Sequence, residues 1–428
     1  MRAMATRRLD AAPATPPQLP EQPPEGVLDL LRRLGVAMNS AGDSTDRIAL
    51  ILGDVATTYA ASGVRFFVLP TGVFVRIQVG ETSRVDFAPG SPTTLRLDQI
   101  DALYRLIDDI RHATLSVGAA RARLDEVNAS TPRFSVPVRL LGSGLLTVGL
   151  GLVLSPSAVA LPVFFVLGLL VGVLGIWAQR NWVVSVVHPV MAAFAVTWAA
   201  FAIASAWLTI PPLTLVIPAL VTLLPGAALT MAMVELSAGS MISGSTRLVY
   251  GLERLLLLTF GIVIGANVIG MPDVVPAPER LGAWAPWLGV LVFGVGLFLG
   301  SSVRVQTYLW LQLVLFVAFA VQSASALVLG SLGASFVAAA VVLPVAYAVQ
   351  GRRSGPPVPV TFLPAFWLLV PGALGLQGVA EIVGIGVVTG IADFLNALLT
   401  IVAIAAGVLV GAGLSARIGR TTTSWRGL

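Results

Sequence analysis

The chain has 428 residues, of which 56% are hydrophobic and 11% charged, and its mean hydropathy is +0.90. These values exclude an ordinary water-soluble protein, in which about a quarter of the residues carry a charge. The chain has no Cys, which excludes disulfides, thiolate catalysis and Cys-ligated metal sites.

The basic residues are all Arg, and sixteen of the 26 lie in residues 1–139. No basic stretch is interleaved with aromatic residues, so we expect no nucleic-acid partner. The first 24 residues are rich in Pro and Ala and lack the apolar core of a signal peptide. We therefore predict a disordered tail over 1–24 and an N-terminus that stays in the cytoplasm.

Residues 25–136 have the pattern of a small soluble α+β domain. Apolar residues recur first at helical spacing, then alternate with polar ones as in strands, and then return to helical spacing. The predicted elements are helices over 27–38 and about 45–61, strands over Val64–Pro70, Val73–Val79 and near Arg84–Phe87, and one long amphipathic helix from Asp98 to about Leu124. The two longer strands flank Thr71-Gly72, which predicts a hairpin. Asp101 is expected to stabilise the start of the long helix.

The soluble domain carries no nucleophile elbow, no phosphate-binding loop and no zinc-protease motif. Asp43, Asp46 and Asp54 could form a carboxylate cluster, but Asp is far commoner at helix starts and on exposed faces. We predict a regulatory or gating module, without enzymatic activity and without a cofactor or metal.

The rest of the chain consists of apolar segments long enough to cross a bilayer, which takes roughly 20 residues each. The ten predicted spans are 138–155, 158–178, 183–208, 211–234, 248–270, 283–300, 305–328, 331–349, 360–382 and 391–414. With a cytoplasmic N-terminus, ten Arg residues from Arg139 onward fall on the inner side and only Arg280 on the outer side. This asymmetry fits the positive-inside rule.

A duplication is visible within the membrane part. The run IPALVTLLPGAALTMAMVE (217–235) matches LPAFWLLVPGALGLQGVAE (363–381) at a constant offset of 146 residues, and Gly261-x-x-x-Gly265 matches Gly407-x-x-x-Gly411. Each unit then holds five helices, over 137–280 and 281–416, before a cytoplasmic tail over 417–428. Because five is odd, the second unit must enter the membrane from the opposite side. The sequence therefore predicts about ten transmembrane helices arranged as two inverted five-helix repeats, a plan known in secondary transporters.

Each repeat has a Pro-Gly pair in its fourth helix, Pro225-Gly226 and Pro371-Gly372. Proline removes a backbone donor and clashes with the preceding turn, which frees carbonyl groups at membrane depth. Such groups are tolerated only against protein or a watery cavity, so matched interruptions point to a substrate site. A simple packing kink is the alternative.

Charged residues follow both Pro-Gly pairs. Glu235 matches Glu381, and Arg247 matches Asp393 at the same offset. Ionisable groups inside a membrane are functional candidates, and buried carboxylates are suited to proton uptake near neutral pH. Helix-end charges at the membrane surface are the alternative, and the hydroxyl-rich stretch 235–247, which includes Ser243, is either a loop or a broken segment that lines a cavity.

The run LLPGAALTMAMVELSAGSMISGSTRLVYG resembles the central motif of the threonine/serine exporter family, and VLDLLRRLGVAMNSAGDSTDRIALIL resembles its soluble motif. The matched positions are Pro225, Gly226, Thr230, Glu235, Gly239, Ser243, Gly244 and Arg247. The resemblance implies a multi-pass exporter of threonine and serine in the bacterial inner membrane, driven by the proton gradient.

We therefore expect a proton-coupled transporter whose partners are a small hydroxylated amino acid, protons and the lipid bilayer. Two alternatives stay open at this point, a membrane-anchored enzyme or signalling protein that acts through its soluble domain, and a passive channel. The sequence sets no oligomeric state.

Overall fold

A helix-and-strand unit precedes a series of long apolar helices in the computed structural model, which describes residues 24–61, 63–79, 82–90, 94–207, 210–270, 280–352, 354–369 and 387–418. The predicted tail over 1–24 lies almost wholly outside these residues, as does most of the predicted tail over 417–428. The elements of the N-terminal unit are α1 Pro24–Ser40, α2 Thr45–Thr58, β1 Arg65–Leu69, β2 Gly72–Val79, β3 Thr82–Pro89, α3 Leu97–Arg111 and α4 Val117–Ala129.

The three strands form an antiparallel sheet in the order β1-β2-β3, with the predicted turn at its first corner. Alternation along β2 turns Val73, Val75 and Ile77 toward the helices, where they are buried with Leu31 and Leu34 of α1. The predicted hairpin and third strand are confirmed, although β3 is longer than predicted. This α+β unit positions the start of α2, which forms part of the site below.

The single long helix predicted from Asp98 to Leu124 is wrong. The helix α3 ends at Arg111, the chain turns through Ala113 at φ 55, and α4 begins after its N-cap Ser116. Buried residues continue from α3 into α4 because both helices pack on the same core, so the apolar stripe crosses the turn unbroken. Asp101 does not cap the helix start either, since it is buried one turn later and pairs with Arg105.

The membrane region continues with α5 Val136–Leu154, α6 Leu161–Ala178, α7 Trp182–Trp207, α8 Pro212–Leu220, a 3₁₀ turn Val221–Leu223, α9 Gly226–Ser237, α10 Met241–Ile269, α11 Ala285–Gly300, α12 Val305–Gln350, α13 Val358–Leu369 and α14 Val387–Ile418. Among the described residues, six helices are long and apolar enough to cross a membrane, or seven if α8 and α9 form one bent span. The helices α11 and α13 are apolar but shorter. The prediction of a multi-pass helical membrane protein is confirmed, and the count of ten spans stays a prediction.

The helix α12 contains a break. Its 46 residues would extend about 69 Å at 1.5 Å per residue, more than twice the ~30 Å hydrocarbon core of a bilayer. Gly330 interrupts it with φ 67 and ψ −176, a backbone conformation that glycine adopts without a Cβ clash. The break falls between the predicted spans 305–328 and 331–349.

Glycines bring α5 and α11 into close contact. A methyl group on Gly142 would overlap Gly300, and one on Gly149 would overlap Phe293. The later residue of α5 contacts the earlier residue of α11, so the two helices run antiparallel. Small residues of this kind allow helix backbones to approach closely where lipid offers no hydrophobic drive for association.

The same glycine packing occurs twice along the chain at the offset of the sequence duplication. A Cβ on Gly261 of α10 would meet the Val190 carbonyl of α7, and one on Gly407 of α14 would meet the Phe336 carbonyl of α12. The next pair repeats this relation, because Gly265 faces the carbonyl of Phe194 and Gly411 that of Ala340, each at 2.8 Å. The equivalent residues of the two contacts are thus 146 positions apart in every case. The first residues of α8 and α13 are also 146 positions apart, as are those of α10 and α14.

Candidate functional site

The span formed by α8 and α9 is broken at Leu224-Pro225, and its two parts meet at an angle of 57°. Leu224 is extended (φ −69, ψ 135) because a residue before proline avoids the helical region. Pro225 offers no N–H group, and α9 restarts at Gly226. The interruption predicted from the Pro-Gly pair is therefore present as a bend with a fresh helix N-terminus inside the apolar region.

Thr230 lies about one turn into α9 and is buried. Its Oγ1 makes no hydrogen bond with any described residue. The helix α9 packs against α13 and α14, and α13 is the helix that leads to the second Pro-Gly pair. Pro371, Gly372 and Glu381 lie outside the described residues, and of Asp393 only the backbone, within α14, is described.

Glu235, near the end of α9, is fully buried and forms an ion pair with Arg247, which is 12% exposed. Its Oε2 accepts a hydrogen bond from Nε of Arg247 at 3.0 Å. Its Oε1 accepts the backbone N–H of Thr45 at 3.0 Å and the Thr45 hydroxyl at 3.3 Å. A buried carboxylate needs such partners, and here three donors surround it.

Thr45 is the first residue of α2, after the N-cap Ser44. The first N–H groups of a helix have no partner within the helix and carry a partial positive charge. Glu235 thus supplies from the membrane region the anion that the start of α2 requires. Two more hydrogen bonds join the same parts, from Nη2 of Arg247 to the Asp43 carbonyl at 2.6 Å and from the Ser240 hydroxyl to Asp46 at 2.7 Å.

Asp43 forms a second buried ion pair behind the first. Its Oδ1 binds Arg47, whose guanidinium also donates to the Tyr104 hydroxyl at 3.2 Å. Burial raises the pKa of Asp43, although Arg47 and Arg247 act in the opposite direction. Its Oδ2 is buried and has no hydrogen bond with a described residue. The start of α2 is therefore a charged turn held almost entirely out of water.

The soluble domain meets the membrane region at a further place. Asp101 of α3 lies between Arg105, at 3.1 Å, and Arg304, at 3.6 Å. Arg304 is the residue before α12 and is half exposed. The domain thus contacts both the stretch around Glu235 and the residue before α12.

The three Asp residues weighed as a cluster have separate partners, since Asp43 binds Arg47, Asp46 binds Ser240 and Asp54 binds Arg111. The described residues contain no group of three or more His, Asp or Glu placed to hold a metal. Ser243 is buried in the first turn of α10, so the stretch 235–247 is a tight connection between two helices and not a long loop.

The pairing of Asp43 and Thr45 with the membrane residues was not predicted from the sequence. The pattern around Ser44 correctly indicates the start of a helix, but it does not show which group accepts the hydrogen bond of the Thr45 N–H. The one available signal was that the soluble stretch and the stretch around Glu235 both resembled motifs of one family.

A comparison with protein-family models finds one match over residues 29–269, which is more than half of the chain and runs from α1 to the end of α10. The matching model is ThrE, described as "Putative threonine/serine exporter". Searches of curated proteins and of solved structures give no significant match.

Proposed function

The chain belongs to the threonine/serine exporter family, and from this membership we propose that it exports threonine, serine or similar small hydroxylated amino acids across the bacterial inner membrane, driven by the proton gradient. The observation that carries the proposal is the broken span at Pro225-Gly226. Its second part, α9, packs against α13, the helix that precedes the second Pro-Gly pair in the chain. Discontinuous helices of this kind form the substrate sites of many secondary transporters.

The broken span offers the chemistry that a zwitterionic amino acid needs. The N-terminus of α9 presents backbone N–H groups that suit the substrate carboxylate. The buried Thr230 hydroxyl, one turn further, suits the hydroxyl of threonine or serine. For the substrate ammonium and for the coupling proton we propose the carboxylates of the second repeat, Glu381 and Asp393.

Two inverted five-helix repeats with ten spans remain our proposed architecture. Its support is the glycine packing that recurs at the offset of 146 residues and the antiparallel contact of α5 with α11, which are equivalent helices at that offset. Inverted halves would exchange conformations to give inward-facing and outward-facing states. The Arg distribution supports a cytoplasmic soluble domain.

Threonine efflux tests the proposal. Cells that lack their own exporters are loaded with a threonine dipeptide, and release of threonine is followed with and without the chain. We expect faster efflux with the chain, its loss in the presence of a protonophore, and its loss in Glu381→Gln. Efflux that persists without a proton gradient would instead indicate a passive channel.

A matched pair of threonines tests the site. Thr230 and Thr197 are both buried, and neither hydroxyl bonds to a described residue, but Thr197 lies at the packing contact of α7 with α10. We expect Thr230→Val to raise the threonine concentration for half-maximal export by up to about tenfold, the value of one hydrogen bond. Thr197→Val serves as the control, and an equal effect of both variants would contradict the site.

A further inference from the structure

The soluble domain contacts both membrane halves, α5–α10 and α11–α14, but the two contacts are of different kinds. Toward the first half, the carboxylate of Glu235 is fully buried and receives three hydrogen bonds, and Arg247 and Ser240 add one link each. Every one of these bonds involves the turn Asp43–Asp46 or the ion pair that it covers. The contact is a largely buried network centred on the Glu235 carboxylate.

Toward the second half, the ion pair between Asp101 and Arg304 is longer and more open to water. Arg304 approaches Asp101 at 3.6 Å, and its side chain is 51% exposed. Tyr347 of α12 also lies near enough to Arg47 and Asp43 to interact with them electrostatically. Solvent and salt screen an exposed ion pair, whereas separation of a buried pair leaves an uncompensated charge in a dry site.

We infer that the soluble domain is a cytoplasmic gate that moves with the first membrane half and closes against the second. The inference rests on the proposed function, because alternating access requires the two halves to move relative to each other. A domain that contacts both halves must then release one of them. The difference between the contacts determines which one, so the domain stays on Glu235 and Arg247 and separates from Arg304 and Tyr347.

The position of the turn Asp43–Arg47 fits a gate. It contacts the end of the broken span through Glu235 and Arg247, and it lies near enough to Tyr347 of the second half to interact with it electrostatically. An open groove of about 510 Å³, lined in part by Asp46, Arg65 and Ala238, lies at the edge of this junction. Water therefore reaches the border of the junction.

Spin labels test the attachment, and the absence of native Cys means that only introduced cysteines react. Asp125→Cys places a label on the domain, Ile242→Cys on the first half and Arg352→Cys on the second, all at exposed positions. Raising the salt from about 0.1 M to about 1 M shortens the screening length from roughly 10 Å to roughly 3 Å. We expect the distance distribution between positions 125 and 352 to broaden and that between 125 and 242 to stay unchanged; the reverse result, or no change in either pair, would overturn the inference.

Cross-linking tests the gate. Arg105 and Arg304 reach the same carboxylate, so Arg105→Cys/Arg304→Cys can be joined by a short bismaleimide, and Asp46→Cys/Ser240→Cys is the matched control on the fixed side. Since a locked gate cannot reach the open state, about 90% cross-linking of the first pair should reduce threonine efflux about tenfold. The control pair should retain efflux after the same treatment. Loss of efflux in both pairs, or in neither, would refute the gate.

Failures of the two proposals can be told apart. A wild-type chain that exports no threonine refutes the proposed function, while the salt experiment, which needs no transport, still decides the attachment of the domain. If the cysteine pair at 105 and 304 fails to export before cross-linking, Arg304→Gln replaces it, since this variant removes only the weak ion pair. Its distances between 125 and 352 must then be broad at low salt, and an unchanged distribution would overturn the inference.

Discussion

Replacement of Arg247 by methionine removes the only guanidinium that contacts the Glu235 carboxylate among the described residues. Loss of one partner of a buried ion pair costs about 3–5 kcal/mol, because the other charge stays buried without compensation. Two donors from Thr45 remain on Glu235, which favours the lower end of that range. The lost bond to the Asp43 carbonyl adds about 1 kcal/mol. We therefore expect Arg247→Met to lower the free energy of unfolding by about 3–5 kcal/mol in total.

The companion variant Glu235→Gln should be milder. The amide oxygen of the new side chain can still accept from Thr45, and Arg247, at 12% exposure, can turn toward water. We expect a cost of about 1–2 kcal/mol. The double variant Glu235→Gln/Arg247→Met removes both charges of this pair, so no unpaired Glu235 carboxylate is left and it should be more stable than Arg247→Met alone.

Unfolding in mixed micelles, followed by tryptophan fluorescence, measures all three variants as a double-mutant cycle. The exposed ion pair between Arg84 and Glu25 gives the control, and Arg84→Met should change stability by less than about 1 kcal/mol. Additive effects of the two single variants would refute the reasoning, because they would mean that the charges do not depend on each other.

Two further predictions concern packing and ionisation. Gly407→Ala should lower the free energy of unfolding by about 1–3 kcal/mol, because the added methyl group would overlap the Phe336 carbonyl. Gly413→Ala in the same helix is the control, since its methyl group meets nothing within 4 Å. Equal unfolding free energies of the two variants would contradict this prediction. Burial raises the pKa of Tyr59 to about 12, from an ordinary value of about 10. Because the folded state holds the proton more tightly, the stability from this group is present below pH ~10 and is lost as the pH rises toward about 12. In an absorbance titration of phenolate, Tyr59→Phe should remove a group that titrates near pH 12, and an unchanged curve would disprove the assignment.

Much of the fold could be predicted because its signals are local. The hairpin is marked by alternating residues around Thr71-Gly72, and the broken span is marked by a proline whose missing N–H acts within one turn. The break between α3 and α4 could not be predicted in the same way. Both helices pack their apolar faces on one core, so the periodicity of the sequence continues through a turn that depends on Ala113 alone for its positive φ.

The contact between the soluble domain and the membrane region is not local in this sense. Thr45 and Glu235 lie 190 positions apart, and each has an adequate explanation by itself, one as a helix start and the other as a helix-end charge. Only the fold shows that the Thr45 N–H group, which has no partner within its helix, donates to the buried Glu235 carboxylate. Residues that satisfy local rules but leave a backbone donor open are therefore candidates for long-range partners.

The two copies of the duplicated motif carry different charges. In the first repeat, Glu235 faces Arg247, and the pair is fully occupied in holding the start of α2. At the equivalent positions, the second repeat has Glu381 and Asp393, two carboxylates in place of a carboxylate and a guanidinium. Because Glu235 is already bound by Arg247 and Thr45, the proposed proton coupling is tested by efflux in Glu381→Gln and not in a variant of Glu235.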